Sequence, residues 1–316
     1  MRTRRSQSSD NPVPVKHRPV LLHEATELLD IQRGETVVDA TLGGAGHSRE
    51  ILAKLGPSGR LIAFDADKEA IERAEKLFER DARSDNPRIS LIHANFRELK
   101  ERLSGIGITT VDKVLFDLGW SGFQLEAGRG FSFHSDEPLD MRYDAGPPVG
   151  GLTAATIINE WEESSIADVM YGWGEERYSK RIAKAIVAAR AKTPIKTSGE
   201  LAELIKASVP PAYRFGRLHP ATKTFQALRI AVNDELGALK QGLDAAWQLM
   251  EMHGRIAVIS FHSIEDRIVK QQFRQWEDEG SGTRVTKKPL TPSEAEVNEN
   301  PRSRSAKLRV IQKVST

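Results

Sequence analysis

Three aspartates, each closing a predicted β-strand, are the residues of this chain best placed to do chemistry. Asp39 ends ETVVDA and leads into VVDATLGGAGHS, where Gly43, Gly44 and Gly46 make a turn; Asp65 ends RLIAFD and Asp117 ends VDKVLFD. A glycine turn lets backbone approach a ligand closely, and an acid after the second strand is spaced to meet ribose hydroxyls in doubly wound folds. Ribose is common to adenosyl and nicotinamide cofactors, so this acid does not choose between them. Two other features lean toward S-adenosylmethionine. A dinucleotide fingerprint begun at Gly44 would need glycine where Arg49 stands, and an acid before the turn suits a ligand carrying sulfonium and ammonium charges. Asp117 falls where open α/β sheets bind ligands, outside the carboxyl ends of strands. It heads DLGW, the acid-x-x-aromatic form of enzymes that methylate exocyclic amines of bases. There Trp120 could stack on a target base, although an aromatic after a strand is more often core than a base clamp and the pattern is short.

The elements that must position these acids follow from periodicity. Strand, glycine turn and helix repeat from residue 35, with a helix to about Leu55 and another from Lys68 to about Arg80. Further strands are expected at RISLIH (88–93), VDKVLFD (111–117), RIAVISF (255–261) and KLRVIQK (307–313). Between Gln124 and His219 the apolar spacing is helical throughout, in AATIINEWEESSIADVMYGWG, RYSKRIAKAIVAARAK and SGELAELIKASV. A long helix over 222–250 returns the chain to the sheet. The expected architecture is therefore an α/β parallel sheet with an inserted helical domain.

Composition narrows the function classes. The 316 residues contain no cysteine, which excludes disulfides, thiolate metal sites and a cysteine nucleophile. No apolar run approaches the ~20 residues of a membrane span, and the start lacks a secretory apolar region, so a cytoplasmic protein with no membrane partner is expected. The net charge of +2 is unevenly spread. Residues 1–18 hold Arg2, Arg4, Arg5, Lys16 and Arg18 against Asp10; residues 301–313 hold Arg302, Arg304, Lys307, Arg309 and Lys313 with no acid; residues 126–163 are acidic. Basic ends suit a polyanionic partner, the alternative being solvated faces and loose termini. Residues 1–16 are expected to form a disordered basic arm.

Several long blocks together resemble the RsmH (MraW) family of bacterial small-subunit ribosomal RNA cytosine N4-methyltransferases. They include HRPVLLHEATELL (17–29), VVDATLGGAGHS (37–48), DLGWSGFQLEAGRGFSF (117–133), PLDMRYD (138–144), GEERYSKRIAKAI (174–186), RLHPATKTFQALRIAVNDEL (217–236), VISFHSIEDRIVK (258–270) and KKPLTPSEAEVNENPRSRSAKLRV (287–310). The resemblance implies a class I (Rossmann-like) methyltransferase sheet formed by 17–125 and 217–316, with 126–216 as an inserted helical substrate-recognition domain. It implies S-adenosyl-L-methionine as methyl donor and, as acceptor, a cytidine in the decoding region (P site) of 16S ribosomal RNA. Carried over by position, the cofactor contacts are Ala45, Gly46, His47, Asp65, Phe96, Asp117 and Gln124. Two departures stand out: the family has glycine where Ala45 stands, and V-S-S-P-Q where this chain has Trp120 to Gln124.

Methyl transfer to an amine needs mainly alignment of nucleophile, methyl and leaving sulfur. The cytosine N4 lone pair is delocalised, so an acceptor on its N–H would assist, and Asp117 or the Leu118 carbonyl is placed for this. Substrate contacts are expected from Trp120, His219 and His262, with Arg217, Lys223 and Arg229 as phosphate-holding cations. His262 has a structural alternative, because SIED (263–266) reads as a capping box. No metal is expected, since neither histidine shows ligand spacing to nearby acids. Other readings that stay open are an amino-methyltransferase acting on another RNA or on DNA, and a non-catalytic ribosome-assembly factor. The sequence leaves the oligomeric state open, a homodimer included.

Overall fold

Successive strand residues face opposite ways, and in this protein both faces of the sheet are covered, which explains why the strands read as continuous apolar runs rather than alternating ones. The computed structural model describes residues 18–80, 87–119, 125, 127–144 and 151–315; the expected basic arm at 1–16 lies outside them. Strands β1 (Thr36–Asp39), β2 (Arg60–Asp65), β3 (Arg88–His93), β4 (Val111–Asp117), β5 (Met250–Ser260), β6 (Gly282–Arg284) and β7 (Lys307–Lys313) form one sheet in the order β3-β2-β1-β4-β5-β7-β6. The first five run parallel, while β7 lies antiparallel between β5 and β6. The chain winds from β1 out to β3 and then crosses to β4 on the other side of β1. That reversal opens a crevice at the carboxyl ends of β1 and β4.

On one face Val38, Phe64, Val114, Phe116 and Val258 pack with α4 (Leu99–Gly105), α11 (Glu235–Leu249) and α12 (Ser263–Asp278). On the other, Val37, Leu61, Leu115 and Ile259 pack with α1 (Leu22–Leu29) and α2 (Gly46–Leu55), and Ala63 meets α3 (Lys68–Arg80). A second apolar cluster draws on Leu139 to Ala231. It is built by α5 (Ala154–Glu160), α6 (Glu163–Gly174), α7 (Ser179–Arg190), α8 (Ser198–Ser208) and α10 (Thr222–Asn233), with the short α9 (Pro211–Arg214) between the last two.

The structure departs from the periodicity in three places. The helix expected over 222–250 is two helices, because Asp234 takes a left-handed conformation (φ +46°) and turns the chain between α10 and α11. Strand β5 begins at Met250, five residues before the apolar run, and its pairing with β4 shifts register between Val111 and Lys113. The basic C-terminal stretch is only partly available to a polyanion. Arg309 is buried, donating to Asp266 at 2.7 Å, Lys307 joins the same carboxylate at 3.0 Å, and the Lys313 ammonium donates to the Trp247 and Met250 carbonyls. Burial opposes the Asp266 charge, and the Arg309 and Lys307 hydrogen bonds overcome it, holding its carboxyl below the usual range. Periodicity reads charge along the chain, whereas β7 folds these cations onto α12 and α11.

Helices α6 and α10 meet where the buried Gly174 ends α6; a Cβ there would lie 2.5 Å from the Lys223 carbonyl oxygen. Gly174→Ala gains up to about 1 kcal/mol of helix propensity but overpacks this contact by about 1–3 kcal/mol. We expect a net loss, seen as a lower thermal midpoint, while an alanine at Gly172, which has nothing within 4 Å of its Cβ position, does not lower it.

Candidate active site

The carboxyl ends of β2, β1 and β4 bring Asp65, Asp39 and Asp117 side by side. Asp39 is fully buried and both its oxygens are engaged: Oδ1 accepts the Thr41 N–H at 3.1 Å and Oδ2 the Ser48 hydroxyl at 2.6 Å. The Asp65 carboxylate closes the glycine turn, accepting the Gly43 and Asp67 N–H groups at 2.8 Å each. Thr41 Oγ1 accepts the Asp117 N–H at 2.7 Å. Asp117 Oδ2 lies 3.4 Å from His47 Nδ1, and Asp117 Oδ1 is buried without a hydrogen-bond partner.

Three acids so close resist ionising together. Burial pushes the Asp39 carboxyl up to about 6, against the opposing hydrogen bonds of Ser48 and Thr41. Burial does the same to Asp65, also to about 6, with the charges of Asp67 and Asp39 adding to it and the two N–H donors opposing. Asp117 goes well above the carboxylate range through burial, then the charges of Asp39 and Glu265. Ser48 and Thr41 were not singled out by sequence; Ser48 shares the buried face of α2 with Ile51 and Leu55, and a serine three and seven residues before those apolar positions is the signal that could have found it.

The turn itself is tight. Ala45 takes φ +59°, a left-handed conformation that costs an L-residue about 1–2 kcal/mol. The departure from glycine is therefore strained, and only the full burial of its methyl offsets part of that cost. Gly46 cannot carry a side chain, because a Cβ would lie 2.8 Å from Pro19 Cγ. His47 Nε2 sits 3.1 Å from the Val20 carbonyl, which can only accept, so this nitrogen carries a proton. On a neutral ring Nδ1 would then face Asp117 with a lone pair.

Phe96 lies edge-on to Phe116, with ring centroids 5.5 Å apart, and is half-buried. It also packs on α11, where a Cβ on Gly242 would meet its ring at 2.7 Å. Its ring is thus part of the core edge and only partly covered. Trp120 and Gln124 lie outside the described residues. His219 stacks on Phe133, with centroids 4.5 Å apart and planes 10° off parallel, and its Nδ1 accepts the Ala221 N–H. Burial and the His134 charge lower its pKa.

His262 is the N-cap of α12, one residue earlier than SIED suggested: Nδ1 accepts the Glu265 N–H at 3.4 Å while Glu265 accepts the His262 N–H at 3.2 Å. Ser263 instead donates to Glu175. Behind the cap lies a network that sequence reading missed. Buried Arg229 donates to both oxygens of Glu235 at 2.8 and 3.0 Å, and the Tyr143 hydroxyl donates to the same carboxylate at 2.7 Å. Arg229 is therefore committed internally and does not reach out to phosphate. Burial alone would raise the Glu265 carboxyl, but the His262 hydrogen bond and charge, then Arg229, bring it below the usual range.

The network also corrects the metal-spacing reading, since Glu235 crosses from α11 to join His262 and Glu265, with ligand-type atoms within 4.8 Å of one another. The arrangement is nonetheless poor for a cation. Both Glu235 oxygens serve Arg229, which already supplies the positive charge, and one Glu265 oxygen serves two backbone N–H groups.

A family model described as the MraW methylase family matches residues 14–314. The chain belongs to the MraW methylase family. It is 46% identical over 314 residues to "Ribosomal RNA small subunit methyltransferase H" of Symbiobacterium thermophilum, covering 94% of this chain and 96% of that relative. A relative of the same name from Koribacter versatilis is 48% identical over 315 residues, covering 96% and 98%. Among solved structures, a rRNA methylase from Streptococcus thermophilus aligns at 10% identity with a TM-score of 0.44, over 94% of this chain and 98% of that one. Membership bears out the resemblance, the methyltransferase fold class and S-adenosylmethionine as cofactor. Among the described residues no helix is long and apolar enough to cross a membrane.

In this MraW-family site, burial of Asp39 carries a pH signature. Its carboxyl ionises near 3.8 when unfolded and near 6 when folded, so the folded state holds the proton more tightly. The resulting penalty is absent below about pH 4, grows between about 4 and 6, and persists above. Asp39→Asn keeps an acceptor for Thr41 and removes the charge. We expect the ligand-free variant to be more stable than wild type by about 1–3 kcal/mol at pH 7 and no more stable at pH 4, measured by denaturant unfolding at both pH values.

Proposed function

We propose that this protein transfers the methyl group of S-adenosylmethionine to N4 of a cytidine in the decoding region (P site) of 16S ribosomal RNA, in the cytoplasm. The observation that carries the chemistry is the buried, unpartnered Oδ1 of Asp117 beside the carboxylates of Asp39 and Asp65. Buried acids with raised pKa values suit a ligand of net positive charge, which relieves their mutual repulsion on binding. The donor set thus fits the cofactor. The Asp65 oxygens keep lone pairs for the ribose hydroxyls, the turn at Ala45, Gly46 and His47 lets backbone approach, and the half-buried Phe96 ring is the aromatic placed for the adenine. Gln124 joins them by position in the family blocks. When bound, S-adenosylmethionine supplies an electrophilic methyl on sulfur.

The chain's own residues supply alignment and a proton acceptor. Asp117 Oδ1 accepts the N–H of the acceptor amine, localising the nitrogen lone pair, and takes the proton that the amine must lose. His47, held by the Val20 carbonyl, fixes the other Asp117 oxygen. In this reading Trp120 stacks on the target base, His262 contacts its edge from the α12 cap, and the helical residues 126–216 with His219 recognise the surrounding RNA. A nucleotide in a fold must be splayed out to reach such a crevice.

The test is transfer of labelled methyl to small subunits from cells lacking this modification, followed by mass spectrometry of the digested 16S RNA. N4-methylcytidine at one position is expected; a methyl on cytosine C5, on another nucleotide, or no incorporation would reject the assignment. Asp117→Asn should lower kcat about 10²–10⁴-fold, the range of general-base contributions, with a smaller change in cofactor affinity by calorimetry. If cofactor binding is lost while kcat at saturating cofactor survives, Asp117 is a cofactor ligand only.

A further inference from the structure

The segment linking α9 to α10 carries the most exposed aromatic side chain among the described residues. Phe215 is 80% exposed and Leu218 60%, with the exposed Arg217 between them. Single exposed apolar residues are ordinary; what sets these apart is that their loop is braced at both ends. On one side the Phe215 and Gly216 N–H groups bond back to the Pro211 and Tyr213 carbonyls, and Arg214 donates to the Ala207 and Val209 carbonyls at the end of α8. On the other side His219 stacks on Phe133. The tip is therefore presented outward by a fixed base, and its ordering cost is met before any partner arrives.

Charge indicates which partner. From Leu204 to Asn233 the chain has no acid; of the cations within it, Lys206 pairs with Glu203 and Arg229 with Glu235, whereas Arg214 and Lys223 donate to backbone carbonyls, which leave their charge unneutralised, and Arg217 is exposed at the tip. A protein surface matched to an apolar tip would not call for this excess of cations, whereas RNA offers both a base face for the ring and phosphates for the guanidinium. The bracing also leads inward. Phe133 is two residues from Phe131, which stacks on Tyr143, and the Tyr143 hydroxyl donates to Glu235 in the network behind His262.

We propose that the Phe215–Leu218 loop is an RNA-binding finger in which Phe215 stacks on an unpaired base and Arg217 holds the adjoining phosphate. This rests on the reading that RNA is the acceptor and names a second point of grip on it, separate from the target-base pocket. Its role is affinity and register rather than chemistry.

The test uses the full chain with unmethylated small subunits, reading subunit affinity, KM and kcat separately. Phe215→Ala and Phe215→Leu should each raise Kd and KM about 5- to 100-fold, the range of one lost base stack, while Phe215→Trp stays near wild type. Arg217→Gln should reduce the salt slope of binding by about one. Thermal midpoints should not move, because the ring is exposed. If Phe215→Leu binds as tightly as wild type, or if a photo-cross-linker at position 215 captures a ribosomal protein instead of RNA, stacking is overturned. Subunit affinity is measured without methyl transfer, so a wild type that binds but never methylates rejects the enzymatic assignment and leaves the finger standing.

Discussion

Holding three carboxylates close together at the ends of adjacent strands is the constraint on which the rest of this structure depends. Each acid is unfavourable where it stands, and two are offset because a strand end aims them at donors, Thr41 and Ser48 for Asp39 and the Gly43 and Asp67 N–H groups for Asp65, while Asp117 faces the His47 ring at 3.4 Å. The parallel sheet supplies the geometry, since β2, β1 and β4 end together and the chain reverses direction across the sheet there. The flanking helices cover both faces of the sheet, leaving Asp39 out of water and Asp65 and Asp117 half-buried at the crevice. Stability is given up locally so that a cationic ligand meets an environment already arranged for it.

Much of this was legible in the residues. The strand endings at Asp39, Asp65 and Asp117, the glycine turn and the first helices follow from local periodicity, and each stands in the structure as read. Legibility falls away where a partner is set by the tertiary fold, even a few residues off along the chain when a turn intervenes. Arg229 looks like any helical cation until Glu235 and Tyr143 close around it, and Arg309 looks like a tail charge until β7 carries it to Asp266. A residue's partner across the fold, which decides whether its charge is available, leaves no mark on local spacing.

The turns show the same limit in another form. Nothing in QALRIAVNDELGALK marks Asp234 as the place where one helix becomes two, because an aspartate is compatible with both a helix interior and a left-handed turn. Ala45 was recognisable as a departure only against the family's glycine, and its cost became assignable only with its backbone angle. His262 illustrates a near miss: the capping pattern was correctly located, but imidazole is an unusual cap, so the eye passes to Ser263.

The segment that covers the glycine turn bears on how the crevice is completed. Pro19 lies against Gly46, the Val20 carbonyl orients His47, and Leu21 is buried in a left-handed conformation. What holds the segment is α13 (Glu294–Glu299) and its neighbour: Glu296 accepts the Leu21 N–H at 2.8 Å, Asn300 donates to the Arg18 carbonyl at 3.3 Å, and Arg18 pairs with Glu299. The exposed ion pair adds at most about 1 kcal/mol, so the Glu296 bond and the packing matter more. These contacts join residues nearly three hundred apart, the kind of closure that forms late in folding. Strands β1 to β4 and the packing of Val20 and Leu21 against α2 need only the first part of the fold, yet the polar bonds that fix the piece orienting His47 come from residues 296–300. Completion of the binding crevice is thereby tied to a closure between segments some 275 residues or more apart, so a destabilised α13 would loosen His47 without touching the strands that carry the acids.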